Sequence, residues 1–178
     1  VPEFPALSET FIMRQVLDLE ATVCAFKVNR SLPIPKGITV VEMPERQLPP
    51  RLYRYARAVA RMLLGHGPYD LEPAQKRAFL NCLRAHRPDV VLAQYGPMGI
   101  RVSRACQSLG IPLVVHFHGH DATAAPRSRR YRWGLRELFD HASAVVVASK
   151  YIKGKLLCLG CAREKITIIP CGVSLQSF

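Results

Sequence analysis

The stretch PLVVHFHGHD at residues 112–121 carries the pattern that decides the fold class. It opens with an unbroken apolar run, Leu113-Val114-Val115, and equivalent runs occur at residues 90–93 and 145–147. A strand whose side chains are all apolar is covered on both faces, which is typical of a parallel sheet packed between two layers of helices. These runs therefore predict an α/β domain with a mainly parallel sheet.

Predicted strands and helices alternate along the rest of the chain. The strands span residues 23–28, 38–43, 89–94, 113–118, 144–149 and 166–170, and the helices span residues 8–20, 51–64, 72–85, 98–109, 128–141 and 150–159. Such alternation predicts a doubly wound fold. A doubly wound sheet usually begins with its central strand, so residues 1–4 are expected to hold only the end of a first strand. The chain is accordingly expected to be a piece of a longer protein.

The composition is that of a single globular domain. The chain has 178 residues, 49% of them apolar, and its 25 Lys and Arg against 13 Asp and Glu give a net charge of +12. One domain usually has about 100–200 residues, and this apolar content argues against disorder. No run reaches the roughly 18 apolar residues that a spanning helix needs, so no membrane-spanning segment is predicted.

Six cysteines lie mostly inside apolar segments, which predicts reduced, buried thiols and a cytoplasmic protein. Cys158 and Cys161 form a C-x-x-C pair, a pattern found at zinc and redox sites. No second such pair follows, and Gly160 ends a predicted helix between the two cysteines. A structural role is therefore favoured over a metal or redox site at this pair.

Candidate binding segments follow from the fold class, because ligands of open α/β sheets bind beyond the carboxyl ends of the strands. That rule selects residues 4–10, 94–99, 116–123 and 149–150. The G-x-G-x-x-G and G-x-x-x-x-G-K-[ST] fingerprints follow none of the strands. A nicotinamide enzyme or a phosphate-loop nucleotidase is therefore not predicted.

The segment at residues 116–123 is the densest in polar groups. His116 and His118 should share one face of the strand, with Phe117 on the other, because side chains alternate along a strand. Together with Asp121 the histidines are either metal ligands, as in a metal-dependent hydrolase, or part of a polar substrate pocket in which a neutral imidazole forms hydrogen bonds. A third interpretation is that they are merely hydrogen-bonded at the end of a strand. The residues alone leave all three open.

Basic residues form two clusters. One comprises Arg51, Arg54, Arg57 and Arg61, and the other comprises Arg127, Arg129, Arg130, Arg132 and Arg136 around Tyr131 and Trp133. A solvated arginine-rich face is the simplest interpretation, and attraction to an anionic membrane surface is the functional one, since each basic residue near such a surface contributes about 1 kcal/mol. Nucleic acid is not predicted as a partner, because no recognition motif accompanies the charge.

Four segments together resemble bacterial family 4 glycosyltransferases of the exopolysaccharide and colanic acid type. Residues 4–12 resemble the family's F-P-x-x-S-E-T-F-[IV] opening, residues 87–91 its R-P-D-[VI]-[VI] motif, and residues 112–121 its P-x-[IV]-x-x-x-H-G-x-D stretch. The end of the chain, from residue 149 onward, resembles the family's S-x(n)-G-x-x-x-x-K-[IV]-x-[IV]-[IV]-P-N-G-[VI]-D-x-x-x-F pattern. Cys171 and Ser174 depart from this pattern, in which Asn and Asp are usual.

The resemblance implies the Rossmann-like, acceptor-side, amino-terminal domain of a GT-B enzyme at residues 1–170, with residues 171–178 beginning the hinge to a carboxy-terminal domain. That second domain would bind the nucleotide-sugar donor, so no cofactor is expected on this one, and the acceptor would be a saccharide or a lipid-linked saccharide. Retention of anomeric configuration without a protein-bound metal is also implied. The expected location is the cytoplasm, peripheral at the inner membrane face.

The resemblance also implies a set of site residues. His118 corresponds to the family histidine that faces the transferred sugar, and it is the expected catalytic residue. The expected substrate-binding residues are Ser8, Glu9 and Thr10 near the donor phosphates, Gln94, Tyr95 and Gly96 along the acceptor cleft, and Gly119 and Asp121 around the histidine.

Overall fold

A computed structural model of the protein describes residues 1–6, 10–44 and 69–170. The helices are α1 (Thr10–Asp18), α2 (Pro73–His86), α3 (Gly96–Ser108), α4 (His120–Thr123), α5 (Arg129–His141) and α6 (Lys150–Cys158). The strands are β1 (Val23–Ala25), β2 (Val40–Glu42), β3 (Val91–Gln94), β4 (Leu113–Phe117), β5 (Ala144–Val147) and β6 (Ile166–Ile168). The helix predicted at 51–64 lies outside the described residues.

All strand pairs among the named strands are parallel, as the apolar runs predict. One sheet has the order β3-β4-β5-β6, and β1 pairs with β2 in a second, smaller sheet. Gln94 lies opposite His116 in the β3–β4 register, so the carboxyl ends of these two strands meet at one edge. The α/β class with parallel sheets flanked by helices is therefore confirmed.

Residues 1–4 run beside β1 and the residues that follow it. Phe4 pairs in parallel with Val28, and its N–H donates to the carbonyl of Lys27 at 2.9 Å. Between β1 and β3 lies a cavity of about 490 Å³, lined mainly by apolar side chains such as Val23, Val91 and Met98. Residues from both sheets thus line one mainly apolar cavity.

Every named strand except β3 ends earlier than the sequence pattern predicts, and this matters at β4. The predicted strand runs to residue 118, whereas the observed strand ends at Phe117. Gly119 has φ 145°, which takes the chain out of extended geometry and begins α4 immediately afterwards. His118 therefore lies in the short loop between β4 and α4 rather than in the sheet.

Helix α3 packs closely on the sheet and on α5 through small residues. A Cβ at Gly99 would lie 2.9 Å from the methyl groups of Val115, and a Cβ at Gly134 would lie 3.0 Å from Ile100. At Gly96 a Cβ would overlap the hydroxyl of Tyr131, whose side chain is fully buried. Glycine at these three points lets the helices approach closely, which fixes the height of the α3 N-terminus above the sheet edge.

No helix in the three described ranges is both long enough and apolar enough to span a membrane.

Candidate functional site at the ends of β3 and β4

Two loops meet where β3 and β4 end. The first, at Tyr95, leads from Gln94 into α3, and the second, at His118 and Gly119, leads from β4 into α4. Because both strands are parallel neighbours, their loops lie on the same edge of the sheet. This edge is where the fold class predicts a ligand.

The carboxylate of Asp121 holds the two loops together. Its Oδ1 accepts hydrogen bonds from the backbone N–H groups of His118 at 3.1 Å and Gly119 at 2.9 Å, and its Oδ2 accepts from the N–H of Gly96 at 2.9 Å. The Asp121 residue is only 3% exposed. Hydrogen bonds to a charged acceptor are stronger than hydrogen bonds between neutral groups, so this side chain fixes the backbone conformation of both loops.

Backbone strain is concentrated beside these contacts. Tyr95 has φ 71° and ψ 142°, a conformation that non-glycine residues rarely adopt, and it is followed directly by the first residue of α3. Its N–H donates to the carbonyl of His116 at 2.9 Å, which anchors the strained residue to β4. Strain of this kind persists only where the surrounding contacts impose it, and it clusters at functional sites.

The imidazole of His118 is held by one hydrogen bond and three aromatic neighbours. Its Nε2 lies 2.8 Å from Oε1 of Gln94, and Nε2 of Gln94 donates to Oε1 of Gln15 at 2.7 Å. The ring centroid of His118 lies 4.0 Å from that of His116, 4.6 Å from Tyr95 and 4.7 Å from Phe11. The expected common face of His116 and His118 is thereby confirmed, while Phe117 points to the other face and contacts Phe139.

Both imidazoles are neutral at physiological pH. Burial, together with the neighbouring His116, lowers the pKa of His118 to about 3. Burial also lowers the pKa of His116, against the opposing effect of the Asp121 carboxylate. A neutral His118 can donate and accept hydrogen bonds, but it does not supply a positive charge near pH 7.

The structure does not gather the three proposed metal ligands into a metal site. Both carboxylate oxygens of Asp121 point at backbone N–H groups, and Nε2 of His118 faces Gln94. Among the described residues, no group of three or more His, Cys, Asp or Glu side chains is arranged to hold an ion. The alternative of a metal-dependent hydrolase therefore has no geometric support here.

The C-x-x-C pair likewise offers no such cluster within the described ranges. Cys158 is exposed, whereas Cys161 is buried, and burial raises the pKa of the Cys161 thiol to about 11. Burial raises the pKa of Cys106 to about 12 as well. The buried thiols of Cys106 and Cys161 agree with the reduced, buried cysteines predicted from the sequence, whereas Cys158 is exposed.

The other predicted site residues differ in how close they lie to His118. Gln94, Tyr95, Gly96, Gly119 and Asp121 all lie around the imidazole or beneath it. Thr10 is the exposed first residue of α1, while Ser8 and Glu9 lie outside the described residues. The substrate contacts expected of all eight residues stay predictions.

The contacts that α1 makes with the candidate site were not predicted from the sequence. Phe11 and Gln15 are four residues apart, which places them on one face of the helix, and that face meets His118 and Gln94. The i, i+4 spacing could have shown that the two side chains act together. It could not have shown that their partners lie at the ends of β3 and β4.

The model of the protein family Glycosyltransferase Family 4 matches residues 16–177 of the chain. The chain belongs to glycosyltransferase family 4. A relative from Escherichia coli (strain K12), named colanic acid biosynthesis glycosyltransferase WcaL, is 30% identical over 95 residues, which cover 52% of this chain and 23% of the relative. The family 4 chain thus matches less than a quarter of that relative's length.

Two solved structures share the fold of this family 4 chain. Anabaena Alr3699/HepE in complex with UDP-glucose superposes with a TM-score of 0.67 at 17% identity, over 97% of this chain and 42% of that one. The lipopolysaccharide outer core galactosyltransferase WaaB, in its apo form, gives a TM-score of 0.60 at 14% identity, over 96% and 43% respectively. At sequence identities this low, the comparison shows that the folds are similar.

We predict that Asp121→Asn destabilises the family 4 chain by about 1–3 kcal/mol, because an amide NH₂ would then face a backbone donor and leave buried groups unsatisfied. Urea unfolding of the full chain measures the change. Asp89→Asn is the matched control, since Asp89 is exposed, and it should alter the free energy of unfolding by less than about 0.5 kcal/mol. Equal stability of Asp121→Asn and wild type would contradict the role assigned to this carboxylate.

We also predict that the chain loses stability as the pH falls from 6.5 toward 3. In that window the unfolded His118 binds a proton that the folded residue, with its pKa of about 3, does not bind. The stabilising difference is fully present above pH 6.5 and declines below it. Urea unfolding at pH 7.5, 6.5, 5.5 and 4.5 should show a smaller decline for His118→Gln than for wild type. Parallel declines in the two proteins would refute the assignment.

Proposed function

We propose that this chain is the acceptor-side domain of a glycosyltransferase that moves a sugar from a nucleotide-sugar donor to a saccharide or lipid-linked acceptor in cell-surface polysaccharide biosynthesis. The observation that carries the proposal is the neutral imidazole of His118, which lies just past the carboxyl end of a parallel strand in a chain of family 4. A neutral imidazole at this edge is suited to hydrogen bonding with an uncharged hydroxyl group.

The nature of the donor is supported by the relatives. One structural neighbour was solved in complex with UDP-glucose, and a sequence relative carries the name of a colanic acid biosynthesis glycosyltransferase. A nucleotide sugar as donor and a polysaccharide precursor as acceptor agree with both. We propose the same classes of donor and acceptor here.

In this proposal His118 contacts the transferred sugar next to the reacting centre. The carboxylate of Asp121 holds the loop around the imidazole, and Gly119 keeps the space beside it free of a side chain. Gln94, Tyr95 and Gly96 border the acceptor cleft. Ser8, Glu9 and Thr10 bind near the donor phosphates, which the backbone N–H groups at the N-terminus of α1 attract. The transfer retains anomeric configuration and uses no metal held by this domain.

The donor requires a second domain in this proposal. Residues 1–170 form the acceptor side, and residues 171–178 lead into a carboxy-terminal domain that binds the nucleotide sugar. This chain spans about two fifths of the structures that share its fold, which agrees with such a division. The domain on its own is then expected to transfer no sugar.

We predict that His118→Ala in the full-length enzyme lowers kcat by about 10²-fold or more while leaving donor affinity within a fewfold of wild type, because the imidazole acts at the reacting centre. Initial rates with a panel of nucleotide sugars give kcat, and calorimetric titration gives the donor Kd. His120→Ala is the matched control, since His120 is exposed and two residues away, and it should retain nearly full turnover. Near-normal kcat in His118→Ala would end the catalytic assignment.

We further propose that the protein is cytoplasmic and associates with the inner membrane face through α5. The arginines of the second cluster are all exposed: Arg127, Arg129, Arg130, Arg132 and Arg136. Trp133 among them is 50% exposed, whereas Tyr131 is fully buried against the core. Exposed arginines with an amphipathic tryptophan suit the headgroup region of an anionic bilayer. The first cluster, Arg51 to Arg61, lies outside the described residues.

We predict that the full chain binds vesicles containing phosphatidylglycerol at low salt and that replacing Arg129, Arg130 and Arg132 by Gln weakens binding about tenfold or more, given roughly 1 kcal/mol per basic residue. Co-sedimentation at 50 mM and 500 mM NaCl measures this. A control with Lys36, Arg84 and Arg163 replaced by Gln removes the same charge elsewhere and should bind more tightly than the first variant. Equal weakening in both variants, or binding that salt does not change, would remove the proposed membrane face.

A further inference from the structure

We propose that Gln94 and Gln15 are positioning residues for His118: their linked amides keep the imidazole in the tautomer with its proton on Nε2 and its lone pair on Nδ1. The inference rests on the function proposed above, in which His118 meets the substrate. It assigns Gln94 a different role from the contact with the acceptor that the sequence suggests. Gln15, which no sequence motif singled out, becomes part of the same device.

The direction of the hydrogen bonds determines the tautomer. Gln94 turns its NH₂ group toward Oε1 of Gln15, at 2.7 Å, so its own carbonyl oxygen faces His118 at 2.8 Å. A carbonyl oxygen only accepts hydrogen bonds, so the proton between Gln94 and His118 must belong to Nε2 of the imidazole. A neutral imidazole carries one N–H, so Nδ1 is left as an acceptor.

Burial makes this arrangement hard to reverse. Gln94 is 3% exposed, and turning its amide over would place NH₂ against the Nε2 proton and oxygen against the oxygen of Gln15. Each mismatch would break a hydrogen bond and leave a polar group without its partner, which is unfavourable where the group is buried. With the amide of Gln15 turned as it is in the structure, the two amides select one tautomer of His118 over the other.

The remaining neighbours of His118 fix the ring but do not choose its tautomer. Phe11, Tyr95 and His116 contact it through ring faces and edges. The carboxylate of Asp121 accepts a hydrogen bond from the backbone N–H of His118 rather than from the ring. Among the residues that the structure describes, Gln94 is the one that hydrogen-bonds to a ring nitrogen of His118, so the choice of tautomer depends on that amide.

This tautomer determines what His118 can recognise. With Nε2–H already donated to Gln94, the imidazole has only the Nδ1 lone pair left for a ligand. A sugar hydroxyl can donate to that lone pair, whereas an ionised phosphate oxygen has no proton to give. The device thus directs His118 toward a hydroxyl of the sugar and away from the phosphates of the donor.

The test is the ¹⁵N chemical shifts of the His118 ring nitrogens in the full chain, labelled with ¹⁵N-histidine, at pH 7.5. We expect a protonated Nε2 and an unprotonated Nδ1 in wild type, and mixed tautomers with intermediate shifts in Gln94→Leu. Gln94→Glu retains an acceptor and should restore the wild-type tautomer. Gln15→Leu should partly populate the other tautomer. Gln107→Leu, an exposed control on α3, should change nothing.

Unchanged His118 shifts in a folded Gln94→Leu, or a proton on Nδ1 in wild type, would overturn the proposal. If Gln94→Leu does not fold, Gln94→Glu and Gln15→Leu still decide the question, because mixed tautomers in Gln94→Glu or a wild-type pattern in Gln15→Leu would contradict the proposal.

In the full-length enzyme, Gln94→Leu should lower kcat by about tenfold with little change in the donor KM, and this loss should be smaller than the loss caused by removal of the imidazole itself. A wild-type enzyme without sugar transfer would refute the proposed function alone, since the shifts report on His118 regardless of activity.

Discussion

The carboxylate of Asp121 joins two loops, and it reaches the first of them at Gly96, 25 residues earlier in the chain. It accepts three backbone hydrogen bonds while almost fully buried, and a buried carboxylate needs such partners because desolvation would otherwise be costly. The ends of β3 and β4 are thus held in one arrangement before any substrate arrives. The positions of His118, Gly119 and the N-terminus of α3 all depend on this contact.

The imidazole of His118 is both buried and held in one orientation by its neighbours. Its pKa of about 3 keeps the ring neutral, aromatic rings limit its rotation, and the Gln94 amide occupies one of its two nitrogens. An enzyme that must recognise an uncharged hydroxyl gains from a group whose hydrogen-bonding pattern is already set, because no reorganisation is needed when the substrate binds. Burial, ring contacts and the amide pair therefore together keep the ring neutral and fix its hydrogen-bonding pattern.

The agreement between sequence and structure is greatest where the signal is local. The runs at β3, β4 and β5 predict parallel strands, and the alternation around Phe117 correctly separates it from His116 and His118. The ends of the elements were predicted less well, since β4 ends one residue early at Phe117. That end depends on the φ of Gly119 and on its hydrogen bond to Asp121, neither of which a hydrophobic pattern encodes.

The α/β class, the parallel sheet and the edge at which the polar residues gather could be predicted from the amino-acid pattern, because strands that are buried on both faces consist of consecutive apolar residues. Three contacts depend on how distant segments pack: Gln15 meets Gln94 across 79 positions of the chain, Asp121 bonds to backbone N–H groups, and Tyr131 is buried while Trp133 is half exposed. Such contacts join residues that are remote in the chain, and their partners are set by how the helices and strands pack against one another.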